Sequence, residues 1–310
     1  MPPFVSICIP AYKNVVYLER LLNSIKNQVF VDYEVIVTDD SPDNTVEKFI
    51  SNFELLQTIH YYKNKMPLGT PENWNEAMRH ATGKWIILVH DDDWFTTPDS
   101  LMKFTRITAS GYDCIFSGYY TFNESNSTKS DKTITSVQFK KIKDHPYYLF
   151  GNNIIGPPSV LFFKKESNVS YDQQLKWLVD IDAFVTILKE NTCTYLPAPL
   201  ITMSSNDSQV TKECFQNPDI EIREALIYYK KKGKIVYRKL MAYDAWWRML
   251  RNLNIRTKTD LTYYAKGETI PAFLIKILEF QKRIPVSLLN NGFISKNLMA
   301  ISYVLNKISL

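Results

Sequence analysis

Short apolar runs and amphipathic stretches alternate along the first hundred residues. Four of residues 4–9 are β-branched or aromatic, the composition of a buried strand, and Pro10 should stop it. Across 16–28, Tyr17, Leu18, Leu21, Leu22 and Ile25 fall on one face of a helix. A second strand is expected at 33–38, a second helix at 43–53 and a weaker third strand at 57–62. Thr70, Pro71 and Glu72 form a helix start, with a hydroxyl cap, a proline in the first turn and an acid behind it. That helix should end at Gly83. Residues 85–89 read as a fourth strand, and Thr97, Pro98 and Asp99 repeat the helix-start signal. Strand–helix alternation of this kind implies a mostly parallel sheet with right-handed crossovers, flanked by helices.

Beyond residue 110 the pattern changes. Strands are expected at 114–120, 134–139, 159–163 and 192–203, with a helix at 180–189. From Lys212 onward the pattern is helical, with basic amphipathic segments near 221–232, 235–251 and 271–283. The charge divides at the same place. Residues 1–211 carry 19 Lys and Arg against 24 Asp and Glu, and residues 212–310 carry 18 against 8. Two parts are therefore expected, an acidic α/β domain over 1–211 and a basic helical region over 212–310.

Composition removes several chemistries. The nine glycines never fall in a GxG pattern, which excludes the dinucleotide fingerprint, and no phosphate-cradling loop is present. Four histidines form no HExxH, and Cys8, Cys114, Cys193 and Cys214 share no CxxC spacing. The cysteines read as reduced, buried thiols of a cytoplasmic protein. No apolar run approaches the roughly 20 residues of a membrane span. Carboxylates, amides and hydroxyls remain as tools.

The carboxylates are placed in a telling way. In a parallel sheet, ligands bind outside the carboxyl ends of the strands. There the chain puts Pro10, Ala11 and Tyr12, then Asp39 and Asp40, then His90 followed by Asp91, Asp92 and Asp93. Five acids on one rim repel one another unless a cation sits among them, and a hard divalent ion, Mg2+ or Mn2+, suits such ligands. Either acidic cluster alone could be a turn capping the next helix; two on one sheet have no packing rationale.

At these motifs the chain resembles a known family. The segments VSICIPAY (5–12), YEVIVTDDSPD (33–43) and GKWIILVHDDDW (83–94) look like the signature of family 2 glycosyltransferases. These are inverting enzymes of the GT-A fold that use nucleotide sugars. The resemblance implies that Pro10, Ala11 and Tyr12 line the nucleotide base and ribose. It gives Asp40 the uracil edge and Asp39 the loop or the ribose. Asn73, Trp74 and Asn75 would flank the pocket, with Asn75 facing the ligand even if Trp74 packs inside. Asp91–Asp93 match the DxD-type motif in either of two registers. Asp93 is the metal ligand in both, with Asp91 or Asp92 toward the ribose or sugar.

Asp180 matches the general base, with helix capping as its alternative role, and Val179 stands where many relatives have Glu. Asn152, Asn153 and Gly156 match an acceptor-facing loop. Relatives often carry a diphosphate-contacting His or Arg near 204–206; here Asn206, Gln209 or Lys212 would substitute.

The function implied is transfer of a sugar from a nucleotide sugar, UDP-linked by resemblance, to a hydroxyl of a saccharide or lipid-linked saccharide, in surface polysaccharide synthesis. The alternatives are a sugar nucleotidyltransferase and a catalytically silent membrane-associated scaffold. The first normally carries a glycine-rich basic loop after strand one, and residues 10–14 are not that. The basic tail either packs on the catalytic domain or docks on anionic lipid at the inner face of the membrane, with Trp246 and Trp247 as anchors. A nucleic-acid partner is not expected, since no binding module accompanies the charge.

Overall fold

A computed structural model describes residues 1–55, 57–205, 213–233 and 239–307. Its chain separates into two compact units. The first comprises Met1–Asp144, Ile154–Gln173 and Asp182–Asp207, and the second comprises His145–Asn153, Gln174–Ile181 and Ser208–Leu310.

The first unit opens with the expected alternation: β1 (Val5–Ala11), α1 (Val15–Lys26), β2 (Tyr33–Asp39), α2 (Thr45–Ser51), β3 (Ile59–Lys63), α3 (Glu72–Arg79) and β4 (Trp85–Leu88). The four strands lie in the order β3-β2-β1-β4, all parallel, with Ile7 level with Val35 on one side and Ile87 on the other. Every residue of β1 and β2 is buried, as a parallel sheet covered on both faces requires. Pro10 does not stop β1. The ladder to β4 ends at Cys8, so beyond it β1 pairs only with β2 and a proline lacking an N–H is tolerated.

The remaining elements are β5 (Asp93–Phe95), α4 (Ser100–Ile107), β6 (Cys114–Asn123), β7 (Thr128–Asp131), α5 (Ser136–Asp144), β8 (Leu161–Lys164), α6 (Val179–Glu190) and β9 (Cys193–Ser205). Here the sheet turns mixed. β8 runs antiparallel between β4 and β6, and β5 runs antiparallel to β9 at the far end of the path β4-β8-β6-β9-β5. Four steps of about 4.8 Å would separate β4 from β5 by roughly 19 Å in a flat sheet. Only residues 89–92 join the two strands, and the Asp93 N–H returns to the His90 carbonyl in a tight turn (3.0 Å). That short link forces the sheet to curl, bringing β5 and β9 back beside the carboxyl end of β4.

The strand expected at 134–139 is instead the start of α5. Thr135 and Gln138 form a reciprocal cap: Thr135 N–H donates to Gln138 Oε1 (2.8 Å) and Gln138 N–H donates to Thr135 Oγ1 (3.2 Å). A Thr-x-x-Gln cap outweighs the β propensity of the apolar residues around it.

The second unit is helical, with α7 (Pro218–Lys232), α8 (Leu240–Asn252), α9 (Lys258–Ala265), α10 (Ala272–Lys282), α11 (Val286–Asn290) and α12 (Gly292–Lys307). Trp246 and Trp247, the anchors of the lipid-docking alternative, are buried in its core. Trp246 packs on Phe150 and Phe273, and Trp247 donates its indole N–H to Ser295 (3.0 Å). The apolar face of α8 is satisfied internally, which removes these two side chains from any surface role. Residues 145–153 and 174–181 belong to this unit, although they precede the charge boundary at 211/212; that boundary lies outside the described residues. All four cysteines are free and buried.

Candidate functional site

Because β1, β2 and β4 are parallel, the segments that follow them meet on one rim, and hydrogen bonds stitch them together. Tyr12 N–H donates to Asp91 Oδ2 (3.0 Å) and Asp40 N–H donates to the Ala11 carbonyl (3.1 Å). Lys13, in a left-handed conformation (φ 60°), donates its N–H to Ser41 Oγ (2.7 Å). Pro10 and Ala11 are buried beneath this seam, while the Tyr12 ring is exposed.

Asp39 and Asp40 organise the rim from within. Asp39 is fully buried; Oδ1 accepts from Ser41 N–H (2.7 Å), and Oδ2 accepts from the Tyr61 hydroxyl (2.7 Å) and Lys63 Nζ (2.8 Å). Burial and this bond push the Tyr61 phenol up. Asp40 accepts from Leu68 N–H (3.1 Å), Gly69 N–H (2.7 Å) and Asn64 Nδ2 (2.6 Å). Gly69 adopts a positive φ (72°), a conformation glycine takes without cost.

The residues at 73–75 are tied into the scaffold. Asn73 Nδ2 donates to the Thr38 carbonyl (3.2 Å). Asn75 clamps the backbone of Tyr171, donating to its carbonyl (2.8 Å) and accepting its N–H (2.9 Å). Trp74 lies half-buried against His90 and Tyr171.

The acid triplet forms the centre. Burial, with the charge of Asp92, pushes Asp91 up to about 8. Asp93, the first residue of β5, is 1% exposed, and burial followed by the Asp92 charge raises it well above the usual carboxylate range. Its Oδ2 accepts from Ser159 Oγ (2.5 Å), and its Oδ1 is buried with no hydrogen-bond partner among the described residues. Ser159 Oγ in turn accepts the backbone N–H of His90 (3.2 Å). The Nε2 of His90 is likewise buried and without a partner among the described residues, and burial lowers its pKa against the opposing charge of Asp92.

Ligand atoms of His90, Asp92 and Asp93 lie within 4.8 Å of one another. Two orphaned buried atoms beside an ionisable cluster fit a divalent cation, which would satisfy both and offset the crowded charge. Arg20 braces the group from α1: it donates to the Asp92 carbonyl (3.2 Å) and to Glu124 Oε1 (2.7 Å), and its guanidinium lies 3.8 Å from the centroid of the Trp94 ring.

Three of these residues carry no role that the sequence alone assigns. His90 is visible there as the residue ahead of the triplet. Ser159 and Arg20 have no signal, since only the β4–β8 pairing and the curl bring them to Asp93 and Asp92.

Asp180, Asn152 and Asn153 belong to the second unit. Asp180 sits in the first turn of α6, half-buried, and burial pushes it up to about 7. Its Oδ1 has no hydrogen-bond partner among the described residues. The N–H groups leading into the helix, those of Lys176, Trp177 and Leu178, are taken by Glu224 of α7 (2.8, 2.8 and 2.9 Å), not by Asp180. Asn152 is exposed. Gly156 belongs to the first unit and has φ 118°; a Cβ there would strike the Tyr119 ring. Asn206, Gln209 and Lys212 lie outside the described residues.

A family model described as glycosyl transferase family 2 matches residues 6–169, about half the chain. The chain belongs to glycosyl transferase family 2. A relative of this chain, the GalNAc(5)-diNAcBac-PP-undecaprenol beta-1,3-glucosyltransferase of Campylobacter jejuni, is 28% identical over 129 residues, covering 41% of each chain. The chain spans 66%, 64% and 41% of the lengths of the relatives it matches from Mycobacterium tuberculosis, Methanocaldococcus jannaschii and Campylobacter jejuni.

Among solved structures, Staphylococcus aureus TarS 1–349 in complex with UDP-GlcNAc superposes with a TM-score of 0.63 at 14% identity, covering 99% of this chain and 89% of TarS. The mannosyltransferase PcManGT from Pyrobaculum calidifontis, in complex with GDP-Man and Mn2+, has a TM-score of 0.57 at 15% identity, covering 99% of this chain and 88% of that one. At these identities the likeness shows the GT-A fold. The family match spans the whole acidic rim, Ser159 and residues 145–153 of the second unit; Asp180 and the helices from α7 onward lie beyond it.

Proposed function

We propose that this family 2 glycosyltransferase moves a sugar from a UDP-linked donor to a hydroxyl of a saccharide or lipid-linked saccharide, with inversion, in surface polysaccharide synthesis. The observation that carries the reading is the buried Asp93 oxygen, without a partner among the described residues, at the centre of a rim built on three parallel strand ends. Pro10, Ala11 and Tyr12 receive the base and ribose, Asp39 shapes the loop, and Asp40 and Asn75 border the nucleotide. Asp93 is the metal ligand, with Asp91 or Asp92 toward the ribose or sugar. Asp93 would hold a divalent cation, Mn2+ or Mg2+, which would supply positive charge against the leaving diphosphate.

Asp180 takes the proton from the acceptor hydroxyl as that oxygen attacks the anomeric carbon opposite the diphosphate. Its raised pKa and unpartnered Oδ1 suit a base working near neutrality. Asn152, Asn153 and Gly156 border the acceptor. The donor class is supported by the UDP-GlcNAc and GDP-Man bound to the two structural neighbours. The acceptor class is supported by the undecaprenol-linked name of the Campylobacter relative.

No described helix is long and apolar enough to cross a membrane. Peripheral contact is proposed through the last helices instead. Val286, Leu288, Phe293, Ile301, Val304 and Leu305 are exposed there. Lys282, Arg283 and Lys296 accompany them in sequence, and no acid follows Glu279. An apolar face with only positive charge suits an anionic bilayer.

Calorimetry against UDP, GDP and dTDP sugars with Mn2+, followed by transfer assays and NMR of the product anomer, tests the reading. Metal-dependent binding of a UDP-sugar and an inverted product are expected. Pyrophosphate as co-product would instead mark a nucleotidyltransferase, and absence of donor binding would leave a silent scaffold.

A further inference from the structure

The geometry points to His90 as a ligand of the divalent cation, giving this site an imidazole nitrogen beside the carboxylates of Asp92 and Asp93 and a preference for Mn2+ over Mg2+. The inference rests on reading the acidic rim as a metal site.

Three observations converge. Ligand atoms of His90, Asp92 and Asp93 fall within 4.8 Å of one another, a spacing one ion can bridge. The buried Nε2 of His90 and the buried Oδ1 of Asp93 both lack hydrogen-bond partners among the described residues. Ser159 ties the two residues together: its Oγ accepts the backbone N–H of His90 (3.2 Å) and donates to Asp93 Oδ2 (2.5 Å), which fixes the Asp93 carboxylate and the His90 backbone. Asp93 is thereby left with one oxygen for the ion, the arrangement by which an outer hydroxyl orients a ligating carboxylate.

The blander reading is that His90 only packs on Trp74, whose ring centroid lies 4.5 Å away at 36°. Packing explains the ring's position but not its orphaned nitrogen, since buried polar atoms almost always find a partner. The Trp74 contact instead limits rotation of the imidazole, holding it ready. The metal preference follows from ligand type. Mg2+ dehydrates reluctantly and keeps an oxygen shell, whereas Mn2+, although the weakest nitrogen binder of the first-row transition ions, gives up a water for an imidazole more readily than Mg2+ does.

The test uses the whole chain with Mn2+, with and without UDP. Electron spin-echo measurements should show modulation from a directly bound 14N in the wild type, and none in His90→Ala. Calorimetry should show wild-type binding of Mn2+ at least ~10-fold tighter than Mg2+, with His90→Ala lowering Mn2+ affinity by ~10-fold or more while Mg2+ affinity changes little. Asp93→Ala should lose both ions. Wild-type Mn2+ bound without nitrogen modulation overturns the role of His90 and leaves the metal site intact. Wild type that binds neither ion, with or without UDP, overturns the metal-site reading and this inference with it. The wild-type spectrum decides the matter even if His90→Ala folds poorly.

Discussion

Replacing Asp180 with asparagine should separate activity from stability in a way that depends on pH. Burial moves this carboxyl from 3.8 to about 7. Between those values the folded protein holds a proton that the unfolded chain has released, so folding stability falls as pH rises through that window and levels off above 7. Three pH units at about 1.36 kcal/mol each come to a penalty of about 4 kcal/mol, present in full above pH 7 and absent below pH 4. An amide carries no charge, so Asp180→Asn should match the wild type in stability near pH 4 and exceed it by up to about 4 kcal/mol at pH 8.

Turnover should go the other way. Wild-type kcat should rise with pH through a midpoint near 7 as the base ionises, and the variant should lose about 10²- to 10⁴-fold while still binding donor. Urea unfolding at pH 5 and pH 8, with steady-state kinetics across the same range, reads both quantities. A variant with undiminished turnover would remove Asp180 from the chemistry. A stability gap that fails to widen with pH would show that the carboxyl is not held protonated by burial.

Three further outcomes are expected. Glu224→Gln should cost about 2–3 kcal/mol in urea unfolding, because one amide oxygen cannot serve the three N–H groups of Lys176, Trp177 and Leu178. Since those groups lead into the helix that carries Asp180, kcat should fall with donor affinity unchanged. Gly156→Ala, at φ 118° and against the Tyr119 ring, should lose about 2–4 kcal/mol, whereas Gly111→Ala, at φ 79° in open space, should lose only about 1–2; equal losses would show that the ring contact does not matter. Phe293→Asp combined with Val304→Asp should abolish flotation with vesicles containing phosphatidylglycerol and leave the far-UV spectrum unchanged. Undiminished flotation would place the membrane contact elsewhere.

Periodicity and strand-end chemistry made the first four strands, their helices and the acidic rim legible, because each is written locally, in side-chain alternation and in the polar residues just past a buried run. The resemblance at 5–12, 33–43 and 83–94 then led to the family. Local pattern failed where a neighbour in sequence outweighed it: the Thr135–Gln138 cap turned an expected strand into α5. It also failed where burial depends on distant partners, as for Trp246 and Trp247, whose amphipathic helix could have faced lipid or core.

The assembly of the centre was decided only in three dimensions. Ser159 lies 66 residues beyond Asp93 and reaches it because β8 pairs antiparallel to β4. Asp93 is buried because the four-residue link from β4 to β5 curls the sheet back on itself. A sequence states which groups are available at each strand end. Desolvation, orphaned hydrogen-bonding atoms and raised carboxyl pKa values arise only when distant segments close around those groups and exclude water.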